Sequence, residues 1–425
     1  MRQLYLLISY VAAPFVALVL IWKGFGNRDY FGRFEERFGF GRSRVQSDSI
    51  WIHAVSVGEV TAATPLIRRL MDSHPGTPIV VTTVTPTGAQ RVFDLFGDTV
   101  VHSYAPYDMP GSVARFFERM RPKVAIIMET ELWPNLWAEC GKRDVPLVLA
   151  NARVSPRSMH RYRRFVGLFS WALSYGIVIA AQSEADAERF LQLGSFPERT
   201  RVVGNIKFDY ELPVGVAEEG RELRGTMGPE RPVWIAASTH AGEETMVLAA
   251  AARVRERFPD ALLVLVPRHP KRFGEVEGIL KASKVSYVSR SSGDSGEAAT
   301  DVFFGNTLGE LLMFYAASDV AFVGGSLVPI GGHNLLEPAA LGKPVLTGPH
   351  NFNAEDVAQI MVEEGGARVV NDDRELADAV LALLADPAAC AAQGERARQA
   401  VVANRGSLDR LMALLEPLIP AAEKS

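Results

Sequence analysis

The 425-residue sequence predicts an α/β protein built from two doubly wound domains. Three observations carry that reading. Strand-length apolar runs alternate with helix-length amphipathic segments along almost the whole chain. The alternation is interrupted once, by the polar stretch ELPVGVAEEGRELRGTMGPERP over residues 211–232, which contains several Gly and Pro residues and no strand pattern. With 48% hydrophobic residues, the chain is long and apolar enough to bury two cores.

The elements follow in order. From Leu4 to Trp22 there is no charged residue, a run about long enough to cross a bilayer, so residues 1–23 are expected to form a membrane anchor. A cleaved signal peptide is the competing reading. It is weakened because Arg2 is the only basic residue ahead of the run and no A-x-A cleavage site follows it. Lys23, Arg28, Arg33, Arg37, Arg42 and Arg44 follow, which by the positive-inside rule keeps the rest of the chain cytoplasmic. Phe25, Tyr30, Phe31, Phe34, Phe38 and Phe40 are interleaved with these cations. Two readings stay open for that mixture, lipid headgroup binding or a simple aromatic belt beside the anchor.

A first domain over residues 24–210 carries strand-like runs at Ile50–Ala54, Ile79–Val84, Val124–Met128, Leu147–Ala150, Ile177–Ala181 and Arg201–Gly204. After the linker at 211–232, a second domain over 233–425 carries them at Val233–Ala237, Leu262–Val266, Val285–Val288, Val320–Val323, Val345–Leu346 and Arg368–Val370. Residues 374–417, rich in Ala and Leu, read as helices, one of which is free to pack back on the first domain. Residues 291–300 read as a mobile surface loop.

The formal net charge of −4 argues against a nucleic-acid partner. The two cysteines match no metal spacing and fit a reducing compartment. No Asp-x-Asp triplet occurs and the eight histidines have no ligand spacing, so no metal is expected.

Doubly wound domains collect their reactive loops at strand C-termini, along one crevice between the lobes. The richest such loop lies in DVAFVGGSLVPIGGHNLLEPAALGKPVLTGP, residues 319–349. Gly324 and Gly325 end a buried strand, Ser326 offers a hydroxyl, and Gly331 and Gly332 precede Asn334, the expected N-cap of a short helix over Leu335–Leu341. The free N–H groups of that helix start suit a nucleotide phosphate, and Glu337 is placed to accept hydrogen bonds from a ribose. In the first domain, Glu59 follows Gly58 at the mouth of a helix, as a general base if desolvated or as a complement to the helix dipole. Glu129 and Glu131 end the strand at Val124, with helix initiation the simpler role for Glu131. Lys207, in Gly204–Asp209, is able to offset charge on a leaving phosphate or a substrate carboxylate. His240, Arg268 with His269, and Asn306–Glu310 occupy further strand ends.

In order along the chain, HAVSVGE, TELWPN, NAR, GNIKFD, ASTH, PRHP, TLGEL and GGSLVPIGGHNLLEPAALGKPV resemble the Kdo (3-deoxy-D-manno-oct-2-ulosonic acid) transferases of lipopolysaccharide synthesis, from about Tyr30 to Asn353. The resemblance implies a GT-B glycosyltransferase at the inner membrane, anchored by its N-terminal helix. It would move Kdo from CMP-Kdo to the tetraacyl lipid A precursor, lipid IVA, with inversion and without metal or other cofactor. It makes Glu59 the proton acceptor for the 6′-hydroxyl of the acceptor and assigns Glu129 and Lys207 to transition-state stabilisation. CMP would be held by Pro267 and Arg268, by Leu308, Gly309 and Glu310, and by Asn334, Leu335, Leu336 and Glu337. The chain departs from the family pattern at Ala54-Val55, at Asn306 where Asp is common, and at Leu308 where Met is common. Two other readings compete, a related two-domain enzyme using a UDP-sugar and a membrane-bound lipid-binding protein.

Overall fold

The computed structural model describes residues 2–26, 28–293 and 300–419. The chain forms two compact units, one running to Asp209 and resuming at Arg405, the other spanning Tyr210–Asn404. Each has a parallel sheet, of seven strands among the described residues.

In the first unit the strands are β1 (Ser49–His53), β2 (Ile79–Thr83), β3 (Val101–Tyr104), β4 (Pro122–Met128), β5 (Leu147–Ala152), β6 (Val178–Ala181) and β7 (Thr200–Val202), in the order β3-β2-β1-β4-β5-β6-β7. Every residue of β1, β2 and β5 is buried, because helices cover both faces and each side chain finds an apolar partner whichever way it points. Trp51, Ala125, Ile127 and Leu149 pack on one face, and Ile50, Ile52, Ile126 and Val148 on the other. The second face is completed from far along the chain. Leu411, Met412 and Leu415 of the helix Ser407–Leu415 join its core. Asp209 holds the start of that helix, its carboxylate accepting from the N–H groups of Gly406 and Leu408 at 2.6 Å each.

The second unit repeats the pattern with β8 (Val233–Thr239), β9 (Leu262–Pro267), β10 (Tyr287–Ser289), β11 (Val302–Phe304), β12 (Val320–Val323), β13 (Val345–Thr347) and β14 (Ala367–Val369), ordered β10-β11-β9-β8-β12-β13-β14. In both sheets the first strand in sequence lies in the interior and the strand order reverses there, so the adjacent strand-end loops diverge and leave room for a ligand. Residues 211–232, read above as a linker, carry the helix Val216–Met227, which packs on the helix Leu311–Ala317 within this unit. An added Cβ at Gly220 would stand 2.3 Å from that of Ala316, so the close approach requires glycine. Three helices fill the Ala- and Leu-rich end, Asp373–Ala385, Pro387–Ala403 and Ser407–Leu415. The expected loop at 291–300 lies largely outside the described residues.

Two strands escape the sequence pattern. β3 reads VHSY, a mixed edge strand without an apolar run, and β11 has three residues.

At the N-terminus, one helix spans Arg2–Gly26, and its stretch Ser9–Gly26 is long and apolar enough to cross a bilayer. Phe15, Leu18, Trp22 and Phe25 are exposed on it. The basic segment that follows is partly structural. Arg37 is 1% exposed, donates to the carbonyl of Val84 at 2.8 Å and lies 4.1 Å from the centre of the Tyr104 ring. Arg33 pairs with the buried Glu36 at 2.8 Å and donates to the His102 carbonyl. The Arg37 guanidinium is therefore not available to a lipid headgroup, which corrects the reading of that cation, while Arg33 stays exposed.

Candidate functional site

In the first unit, four loops at strand C-termini carry the residues singled out from sequence. After β1, Ser56 is the N-cap of the helix Val57–Ser73 and forms a capping box with Glu59. Ser56 Oγ accepts from the Glu59 N–H at 3.4 Å, while the Glu59 carboxylate accepts from the Val55 N–H at 2.9 Å and from Ser56 Oγ at 3.0 Å. The helix-start role of Glu59 is therefore real, and it fixes the side chain in one rotamer. Burial, reinforced by the charge of Glu129, pushes its carboxyl up to about 8.

Glu129 leaves β4 with φ 57°, a left-handed conformation uncommon for a side chain with a Cβ. That turn brings its Oε1 to 3.0 Å from Lys207 Nζ. Lys207 is held in turn from β5. Asn151, also left-handed at φ 54°, accepts the Ile206 N–H at 3.1 Å, and Asn205 accepts the Lys207 N–H at 3.0 Å. Two strained strand ends thus serve one ion pair. Glu131 is not a helix cap; it accepts from Trp133 Nε1 at 2.6 Å, and burial raises its carboxyl too. Asp108 instead holds the start of the helix Pro134–Lys142, accepting from the N–H groups of Asn135 and Leu136. Glu129, paired with Lys207, is electrostatically coupled to Glu59 and Glu131, a set able to take a proton at one end and stabilise developing charge at the other.

In the second unit the glycine loop after β12 is closed on itself. The N–H groups of Gly325, Ser326 and Leu327 all donate to one carboxylate, Glu243, at 2.7, 3.0 and 2.9 Å. The His240 N–H adds a fourth bond at 2.9 Å. Gly331 and Gly332 donate to the carbonyl of Gly325, and Ser326 Oγ is occupied by Val323 O and Gly348 N. Both glycine pairs build the loop from within and offer no cradle to an anion. Their glycines are needed for approach: a Cβ on Gly325, at φ +70°, would lie 2.9 Å from the His333 ring. Glu243 is 0% exposed, and its neighbour Glu244, equally buried, holds Arg272 through two bonds of 2.5 and 3.1 Å. Sequence reasoning passed over both; the signal was the run Gly242-Glu243-Glu244 behind a buried strand, where helix-start carboxylates invite no special role.

The helix expected at Leu335–Leu341 spans Leu336–Ala340, with Asn334 Oδ1 accepting the Leu336 N–H at 3.1 Å. Asn334 Nδ2 donates to Glu337 at 3.1 Å, and burial raises the Glu337 carboxyl while the Arg268 charge opposes that. The charge of Glu337 also reaches the phenols of Tyr210 and Tyr315, both pushed up chiefly by burial. Pro267 ends β9 and Arg268 stands exposed beyond it. The segment 306–310 does not open a helix at Asn306: the helix starts at Leu311, Leu308 is exposed, and Gly309 has φ 85°. Glu310 is engaged by Arg290, Nη2 to Oε1 at 2.7 Å, which holds its carboxyl low.

The paired Rossmann-like sheets define a GT-B protein. A solved UDP-GlcNAc 2-epimerase from Neisseria meningitidis, bound to UDP-GlcNAc, shares that fold with TM-score 0.57 at 13% identity, covering 87% of this chain and 100% of that one. The family is set by sequence. A family model described as 3-deoxy-D-manno-octulosonic-acid transferase (kdotransferase) matches residues 32–210. The chain is 43% identical over 393 residues to a 3-deoxy-D-manno-octulosonic acid transferase of Haemophilus influenzae, covering 92% of each, and 37% identical over 420 residues to one of Bordetella pertussis, covering 94% of this chain and 96% of that. The chain belongs to the Kdo transferase family and is a glycosyltransferase.

Proposed function

We propose that the protein transfers Kdo from CMP-Kdo to the tetraacyl lipid A precursor, lipid IVA, by a single in-line displacement with inversion. The observation that carries the reading is the Glu59 carboxyl, half-buried, locked by two donors and pushed up to about 8, in a cluster with the Glu129–Lys207 pair. A carboxylate of that basicity accepts a proton from a sugar hydroxyl far better than one at the usual ~4.3. The 6′-hydroxyl of the acceptor gives its proton to Glu59 as its oxygen bonds to the Kdo anomeric carbon. The bond from that carbon to the phosphate oxygen breaks, and the electron pair leaves with CMP. Lys207 offsets the negative charge that accumulates, with Glu129 holding its ammonium in place.

Donor binding draws on Pro267 and Arg268, on Leu308, Gly309 and Glu310, and on Asn334, Leu335, Leu336 and Glu337. Arg268 is the exposed cation among them, and Glu337 the half-buried carboxylate suited to ribose hydroxyls. CMP leaves as a monophosphate, which needs less charge compensation than a diphosphate, so the reaction is expected to run in the presence of a chelator. A lipid acceptor is supported in the first unit by a cavity of about 310 Å³ lined by Tyr5 of the N-terminal helix, by Glu131 and by the apolar side chains of Leu132, Trp133, Leu168 and Phe169. The apolar stretch Ser9–Gly26 supports an anchor in the inner membrane with the catalytic units on the cytoplasmic side.

The test is mass spectrometry of the lipid formed from CMP-Kdo and the tetraacyl acceptor by purified protein, with EDTA present. A product heavier by Kdo is expected; no transfer, or tighter binding of UDP than of CMP, overturns the assignment.

A further inference from the structure

At the C-terminal edge of the second sheet, three imidazoles gather from three strand ends. His240 follows β8, His269 follows β9, and His333 follows the glycine loop after β12. The rings of His240 and His333 are nearly parallel, at 8°, and their Nε2 atoms are 2.8 Å apart. His269 packs edge-on against His240 at 5.4 Å.

The Nε2 contact dictates protonation. Only one of the two Nε2 atoms carries the bridging hydrogen. The ring that accepts it has a bare Nε2, so as a neutral imidazole it carries its proton on Nδ1. The neutral pair therefore presents one Nδ1–H donor and one bare Nδ1. Adding a single proton keeps the Nε2–H···Nε2 bridge and turns both Nδ1 atoms into donors, with one positive charge shared across the pair. That form matches a phosphate, which offers several acceptor oxygens and negative charge.

The surroundings set the neutral form as the resting one. His333 is held down to about 4 by burial and by Arg268, His240 and His269. His240 is lowered by burial, with His269 and Arg272 also opposing its charge and Glu243 and Glu244 favouring it. The backbone N–H groups of Gly325, Ser326 and Leu327 do not compete for the anion, because Glu243 takes them. The Glu243 carboxylate instead places negative charge beneath the same loop, which an incoming phosphate meets unless the imidazoles become charged.

We propose that the hydrogen-bonded His240–His333 pair is a proton-linked receptor for the phosphate of the nucleotide, drawing one proton from solvent as the anion binds. The inference rests on the donor reading given above, and makes the pair a binding element whose charge appears only when the phosphate is present. Arg268 supplies the permanent positive charge, and the pair supplies the conditional one.

The test is calorimetric titration of the full detergent-solubilised protein with CMP at pH 8, where CMP is already a dianion, in two buffers of different ionisation enthalpy, with cytidine as the phosphate-free control. Uptake of about one proton per CMP bound is expected, and none with cytidine, with affinity falling about tenfold per pH unit on the alkaline side. His240→Gln and His333→Gln are each expected to abolish the uptake and flatten the pH dependence. CMP bound without proton uptake, or with uptake unchanged in both variants, overturns the inference alone. No binding of CMP by the unmodified protein overturns the donor reading and the inference together. The unmodified protein supplies the deciding measurement, so a poorly folding variant does not block the test.

Discussion

Replacing Glu59 by Gln removes the proposed base while sparing the helix start, because Gln also serves at the third position of a capping box and keeps one oxygen for the Val55 N–H. With its carboxyl at about 8, only about a tenth of Glu59 is ionised at pH 7. A group acts as a base only when ionised, so wild-type kcat/KM should climb about tenfold per pH unit from pH 6 and level off above about 8. The Gln variant has no such group and should be flat. The wild-type to variant ratio is therefore not one number. It should be on the order of 10-fold near pH 7 and 10²-fold or more at the plateau, the lower end of what a positioned base contributes. An orthogonal readout follows from linkage. Between the ordinary carboxyl value of 4.5 and about 8, the folded state holds a proton that the unfolded state has lost, so the Glu59 contribution to stability falls as pH rises through that window. By pH 8.5 the penalty reaches a few kcal/mol, and Glu59→Gln should unfold at equal or higher denaturant than wild type there. The assay is transfer from CMP-Kdo, measured from pH 6 to 9 with both proteins. A constant ratio across that range, or a variant keeping more than about a tenth of the plateau rate, would refute the reasoning.

Lys207→Met breaks the 3.0 Å pair with Glu129, and kcat/KM should fall about 10²-fold. The unneutralised Glu129 should also move the acid limb of the pH profile upward, which a purely structural loss would not do. Glu243→Ala strands four backbone donors of the loops at residues 240 and 325–327, at about 1–3 kcal/mol for each that stays dry. Chemical denaturation should register a loss above about 3 kcal/mol, with CMP binding lost in parallel. Asp209→Ala releases the N–H groups of Gly406 and Leu408, so the helix Ser407–Leu415 should become protease-sensitive near residue 405 under conditions that leave wild type intact. Deleting residues 2–26 should move the protein from the membrane to the soluble fraction of a cell lysate.

Strand identity was legible locally wherever burial on both faces demands a continuous apolar run, as in Ile50–Ala54 or Val320–Val323. The position of Glu59 at a helix start was equally local, whereas the segment 306–310 reads as a helix start and instead turns through Gly309 before the helix at Leu311. The order of motifs along the chain carried the family. β3 was not legible because it is a mixed edge strand, and β11 because its apolar run is only three residues long and pairing with β9 and β10 makes it a strand.

What the sequence determined by itself is therefore periodicity, capping and the inventory of reactive groups, all set by residues within a few positions of one another. The tertiary structure decided how those groups are used. Glu243 meets the glycine loop 82 to 84 residues away, and His240 meets His333 across 93. Glu59 is basic because the chain buries it near Glu129, and Arg37 is withdrawn from the surface because Tyr104 and Val84 enclose it. Burial and electrostatic coupling depend on distances through space, which strand order creates and local sequence does not encode.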